Sequence, residues 1–229
     1  MKTLRLSFIG MLLLTGFTGF AQQKNEWHVR LRGIGILPQE SAEIGVIGGD
    51  AKISNTVVPE LDFTYFFANN FSAELILGIS RHSVKTTGSN LTPIGGPASA
   101  DVDLGKVWLL PPTLTLQYHL PLAKCVRPYI GAGINYTIFY NADEGKTVKN
   151  VDYANKFAFA GQLGVDIDLS QKFFLNIDIK KIFLDTDVTV DASNLTPASN
   201  PQLSSVLKSI PADVKIRPLV IGFGIGYRL

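Results

Sequence analysis

The chain has 229 residues, of which 46% are hydrophobic and 17% charged, with a net charge of +2. An average soluble domain carries about 25% charged residues. No basic run suited to nucleic acid is present, so that class is excluded. The single cysteine, Cys125, excludes an internal disulfide and reads as an unpaired thiol in a turn.

The N-terminus has the form of an export signal. Lys2 and Arg5 make a basic head, residues 6–17 are apolar, and Gly19-Phe20-Ala21 has the small-x-small form of a cleavage site. Residues 1–21 are therefore expected to be removed, leaving 22–229 as a single domain. No later apolar run approaches the roughly 20 residues of a spanning helix.

From there the sequence alternates with period two, the signature of strands with two different faces. In Trp27–Leu37, Trp27, Val29 and Leu31 oppose His28, Arg30 and Arg32. Residues 38–56 are Gly-rich and read as a loop. Residues 57–67 set Leu61, Phe63 and Tyr65 against Glu60, Asp62 and Thr64. A tight Asn69-Asn70 turn leads to 71–82, where Leu75, Leu77 and Ile79 oppose Ser72, Glu74, Gly78 and Ser80; Ile76 is an apolar exception on the second face. After a long break at 83–107, residues 108–120 set Leu114, Leu116 and Tyr118 against Thr113, Gln117 and His119. Pro111 and Pro112 are expected at that strand's entrance.

A short turn precedes 127–140, the clearest strand. Ile130, Ala132, Ile134, Tyr136 and Ile138 form its greasy face; Tyr129, Gly131, Gly133, Asn135 and Thr137 form the other. Gly131 and Gly133 are expected to leave room for larger neighbours such as Arg30 or Glu74. Residues 157–169 and 173–183 repeat the design, with Gln162, Asp166, Asn176, Asp178 and Lys180 on the polar face. Between 185 and 213 lies the longest break, with a short helix expected within 201–210. Residues 214–229 close the chain, with Phe223, Ile225 and Tyr227 opposing Gly222, Gly224, Gly226 and Arg228.

Eight alternating segments whose connections run long, short, long, short predict an all-β fold. It is an eight-stranded antiparallel transmembrane β-barrel with short periplasmic turns and long extracellular loops. The apolar face must point to lipid, because in water it would aggregate. Aromatics near strand ends, among them Trp27, Phe66, Phe71, Trp108, Tyr140 and Tyr227, are expected in interfacial girdles.

The inward set, and so the candidate lumen lining, is Arg30, Arg32, Glu60, Asp62, Glu74, Ile76, Gln117, His119, Asn135, Gln162, Asp166, Asp178, Lys180 and Arg228. An eight-stranded barrel is narrow enough for side chains to fill, so charges there are expected to pair. Ser80 and His82 share a face, with Glu74 further along it, a weak match to a serine hydrolase. His28, His82 and His119 fall on separate strands without metal-ligand spacing. No catalytic, cofactor or metal residue is assigned, and the chain is read as not an enzyme.

Several pieces resemble the OmpW family of small outer-membrane barrels. They include Trp27-His28-Val29-Arg30, Leu110-Pro111-Pro112-Thr113-Leu114 leading to Gln117-Tyr118, Pro128 through Tyr140, Gly161-Gln162-Leu163-Gly164-Val165-Asp166 and the terminal Gly226-Tyr227-Arg228-Leu229. They run in family order through nearly the whole mature chain; the family commonly ends in Arg-Phe where this chain has Arg228-Leu229. The resemblance implies a monomer in the bacterial outer membrane, inserted by the outer-membrane assembly machinery and surrounded by lipid. It also implies a narrow, rather apolar lumen that passes small hydrophobic molecules, with lateral exit through the wall into the bilayer. The alternatives are a filled structural or interaction barrel and, less favoured, a lipid-modifying enzyme. A Ser89-Asn90-Leu91-Thr92-Pro93 segment recurs at Ser193 through Pro197, in two expected outer loops, without an assigned role.

Overall fold

The computed structural model describes residues 24–120, 122, 125–143, 145 and 147–229; the expected signal segment at 1–21 lies outside them. In chain order the strands are β1 (Trp27–Leu37), β2 (Ser41–Ile44), β3 (Asp50–Ile53), β4 (Thr56–Ala68), β5 (Phe71–Gly78), β6 (Ser80–Ser89), β7 (Ala100–Leu110) and β8 (Thr113–His119). Then follow β9 (Val126–Asp143), β10 (Asn150–Tyr153), β11 (Lys156–Asp168), β12 (Phe173–Ile182), β13 (Asp185–Asp191), β14 (Ile210–Lys215) and β15 (Leu219–Arg228). The expected short helix is α1 (Leu203–Leu207).

Eight strands close the barrel in the order β11-β12-β15-β1-β4-β5-β8-β9, and β9 pairs back onto β11. All these pairings are antiparallel. The short turns lie at one end, and the strand alternation matches the sequence. Leu31, Ile130, Phe159, Leu163 and Phe223 are exposed to the lipid side, while Arg30, Asp62, Glu74 and Asp178 are buried inside. Trp27 packs on Tyr65, Phe71 on Tyr118 and Phe173 on Tyr227 at the end of the short turns, while Trp108 stacks on Tyr140 toward the other end. Phe66 departs from the girdle expectation. It shares inward parity with Asp62 and Thr64 and is fully buried in the lumen.

The long connections also differ from expectation, for they are largely strand. β6 and β7 pair with each other and with β3 and β9, and β10, β13, β14 and β2 form a second sheet. These sheets extend the barrel wall outward. Their alternation is inverted: Val84, Val102, Val188, Val190 and Val214 point inward, while Lys85, Asp103, Asp187 and Lys215 point outward. Beyond the membrane the outer face meets water and carries charge, so the inner face becomes the apolar one. Pro111 and Pro112 sit at the entrance of β8, as expected, and separate it from β7, which ends at Leu110.

Candidate functional site: an apolar chamber above a polar plug

The lower lumen is filled by one hydrogen-bonded network. Neighbouring strands β1 and β4 put Arg30 opposite Asp62 and Arg32 opposite Glu60. Arg30 Nε lies 3.2 Å from Asp62, and its Nη2 donates to Thr64 at 2.6 Å. Arg32 Nη2 reaches Asp62 at 2.8 Å and Glu60 at 2.9 Å. Lys180 Nζ lies 2.9 Å from both Glu60 and Asp178. Across the lumen, Gln117 donates to Glu74 at 2.6 Å, and Gln162 donates to Glu74 and Asp178 at 2.8 Å each. Asn176 donates to Asp166 at 2.8 Å. These charges are dehydrated, and their pairing is what makes the burial tolerable.

Nearer the short turns, aromatic rings close the bore. His28 packs on Phe66 and Phe174, Phe66 on His119, and His119 on Tyr129, with ring centroids 4.7–5.1 Å apart. Arg127 and Arg228 lie over the Phe174 ring and both pair with Asp168. Two rings are seated by glycines directly opposite them in the ladder. Tyr129 faces Gly164 and Phe174 faces Gly226, and a Cβ at either glycine would fall within 2.3 Å of the ring. Gly133 has a different job from the one expected. Its missing Cβ lets the β8 backbone approach closely at Leu114 and Thr115. Gly131 faces Gln117 and Gln162.

Above the plug the lumen opens into a chamber of about 130 Å³ whose walls are overwhelmingly apolar. Ile34, Ile76, Val107, Ile182, Val190 and Val214 line it; Glu60 and Lys180 form part of its floor. Leu91 and Leu195, the leucines of the repeated segment, border it together with Ile94 and Leu207. The two copies fold differently: a short 3-10 turn follows Leu91 at Thr92–Ile94, and another ends on Leu195 at Ser193–Leu195.

The chamber wall has a weak seam. β5 pairs with β8 as far as Ile76↔Thr113, and β6 resumes with β7 at Ser80↔Leu109 in the same register. Leu77, Gly78 and Ile79 therefore face Pro112, Pro111 and Leu110 without ladder pairing, because proline has no N–H to give. On the other side, β4 pairs with β5 only up to Glu60↔Gly78; among the described residues no ladder joins 56–59 to 79–82. Ile79 sits where both gaps meet. It lines the chamber and is also 49% exposed on the outer wall. Arg81, two residues further out, lies over the Trp108 ring, which places Ile79 just inside the outer aromatic level.

Ser80 and His82 do come together on the chamber wall. His82 Nε2 lies 3.1 Å from Ser80 Oγ, and its Nδ1 lies 2.7 Å from the Ser54 carbonyl oxygen. The orienting partner is thus a backbone carbonyl. Glu74 is engaged in the plug by Arg30, Arg32, Gln117 and Gln162, so among the described residues no carboxylate completes a hydrolytic triad with Ser80 and His82. Among the described residues no group of His, Cys, Asp and Glu could hold a metal ion.

Of the residues expected to line the lumen, Arg30, Arg32, Glu60, Asp62, Glu74, Gln117, His119, Gln162, Asp166, Asp178 and Lys180 meet in the plug or its aromatic layer. Asn135 is held by Thr113 and Pro111. Ile76 joins Glu60 and Lys180 at the chamber, and Arg228 lies at the short-turn rim with Asp168. Sequence reasoning missed Phe66 and Phe174 as interior rings and missed nearly all of the chamber. The aromatic–glycine cross-strand pairs and the inverted alternation are the signals that could have found them.

The OmpW family model matches residues 23–229. An outer-membrane protein of Sinorhizobium fredii, y4mB, is 41% identical over 211 residues, covering 92% of this chain and 82% of its own. The dibenzothiophene metabolism operon protein PahQ of Pseudomonas aeruginosa is 31% identical over 172 residues, covering 73% and 77%. The crystal structure of the outer membrane protein OprG from Pseudomonas aeruginosa superposes with a TM-score of 0.76 at 24% identity, over 91% of this chain and 98% of that one. With a closed eight-stranded barrel and a match across the described chain, this protein belongs to the OmpW family of bacterial outer-membrane β-barrels.

Proposed function

We propose that the barrel admits small hydrophobic molecules from outside into the apolar chamber and releases them sideways, past Ile79, into the bilayer. The observation that carries this reading is the double position of Ile79, lining the chamber and half-exposed on the lipid side where the ladder is broken on both flanks. The plug supports it from below. A solute that entered the charged network would displace paired ions, at a cost of several kcal/mol, so the axial route is closed and the wall is the easier exit. The name of the 31% identical relative associates that protein with metabolism of dibenzothiophene, an apolar aromatic molecule. The plug gives the lower half the character of a filled structural barrel, and this supports the redirecting role.

The test is uptake of naphthalene by cells whose outer membrane lacks related barrels. Expression of the full chain should raise the initial rate at least about threefold over an empty vector. Equal rates at verified outer-membrane levels would sink the reading.

A further inference from the structure

Resting on that reading of the chamber, we infer that it holds a hydrogen-bond anchor for the solute, and that its preferred solutes are apolar molecules carrying a single hydroxyl donor, such as phenols and alcohols. The anchor is Ser80 Oγ. Ser80 and His82 are each 3% exposed and both line the chamber.

Their hydrogen bonding fixes which way each group points. The Ser54 carbonyl oxygen, 2.7 Å from His82 Nδ1, can only accept, so Nδ1 carries the proton. In the neutral imidazole Nε2 is then an acceptor, and the Ser80 hydroxyl donates to it at 3.1 Å. With its proton engaged, Ser80 Oγ has lone pairs left to offer. Donation to the imidazole also makes that oxygen a better acceptor. Three other chamber hydroxyls are turned the same way, whereas Thr86 Oγ1 accepts from Ser89 at 2.7 Å. Thr113 donates to the Pro111 carbonyl, Thr137 to Asn135 Oδ1 and Thr186 to the Ala154 carbonyl. At the floor, Lys180 and Glu60 are engaged with each other.

At Ser80 the chamber therefore offers an acceptor to a solute that brings a donor. Ser80 stands apart from the other hydroxyls because it is next to Ile79, at the seam. A hydroxyl bound there would hold its apolar body in the chamber while its head lay at the exit. A pure hydrocarbon would leave the Ser80 lone pairs unmet, and a molecule with only an acceptor would face them oxygen to oxygen.

Equilibrium binding to the full chain in lipid nanodiscs, with empty nanodiscs as the partition reference, tests this on three probes of one shape. They are 1-naphthol (donor), 1-methoxynaphthalene (acceptor only) and 1-methylnaphthalene (neither). The wild type should bind 1-naphthol about fivefold tighter than the other two, as one net hydrogen bond allows. Ser80→Ala should erase that preference, and Ser80→Thr, which keeps the hydroxyl, should retain it. His82→Phe frees the Ser80 proton and should let 1-methoxynaphthalene gain on 1-methylnaphthalene. Equal binding of all three probes by the wild type, no binding of any, or equal weakening of all by Ser80→Ala would overturn the inference. Naphthalene uptake by wild-type cells is read separately. Binding preference without uptake would remove the transport reading and keep the anchor, and uptake without preference would do the reverse.

Discussion

The Tyr129 hydroxyl, on β9, donates to the Asp178 carboxylate, on β12, at 2.9 Å across the lumen. The same oxygen accepts from Arg30 at 3.1 Å and from Asn176 at 3.0 Å. One phenol thus ties three walls of the barrel together. Tyr129→Phe keeps the ring in the seat opposite Gly164 but strands those partners. It should lower stability by about 1–3 kcal/mol, read by urea unfolding of the barrel refolded in lipid vesicles. An unchanged midpoint and slope would remove Tyr129 from the network.

The Lys180 ammonium is the chamber's floor and the plug's lid. Lys180→Met leaves Glu60 and Asp178 with Arg32 as their nearest remaining cation. Breaking a buried pair on one side is costly, and we expect a loss of about 3 kcal/mol. Adding Glu60→Gln should recover part of it, since the stranded charge is then gone. Unfolding midpoints of the two single variants and the double variant check this; a double variant less stable than the sum of the singles would contradict it.

Gly133 and Ile134 are neighbours with opposite tolerance. A Cβ at Gly133 would lie 2.0 Å from the Leu114 carbonyl oxygen, so even Gly133→Ala must push β8 away, and Gly133→Trp should prevent assembly. Ile134 is half-exposed to lipid, and Ile134→Leu should assemble normally. The heat-modified gel mobility of outer-membrane fractions separates the two outcomes.

Leu91 and Leu195, the leucines of the repeated segment, both border the chamber. Leu91 does so from just before one short 3-10 turn, and Leu195 as the last residue of another. Replacing both with serine should weaken the apolar closure and lower the uptake rate of small hydrocarbons about twofold or more, with barrel stability unchanged. Uptake equal to wild type would make the two turns simple loop chemistry.

Within the membrane the fold was legible because lipid and lumen impose opposite chemistry on successive residues. Ile130 against Gly131 and Leu163 against Gln162 each report their face directly. Outside it the rule reverses. Val188 and Val190 alternate with Asp187 and Thr189, and a reading tuned to greasy outer faces passes over them as loop. The chamber lies largely in that reversed zone, so most of its lining stayed hidden while the plug was readable. Pairing across the lumen, such as Gln162 with Glu74, depends on barrel closure and has no trace in local periodicity. The seam was half visible. Pro111 and Pro112 announced a ladder break, but only the shared register of β5–β8 and β6–β7 places it opposite Gly78.

The central claim is that solute leaves through the wall at Ile79. In a Cys125→Ser background, Val57→Cys on β4 and Arg81→Cys on β6 put thiols on the outer face at either side of the unpaired stretch. A short bifunctional thiosulfonate reagent would join them, and a reductant would release them. Joined, the barrel should lose most of its naphthalene uptake and regain it on reduction. Full uptake with the crosslink complete would contradict a lateral exit at this seam.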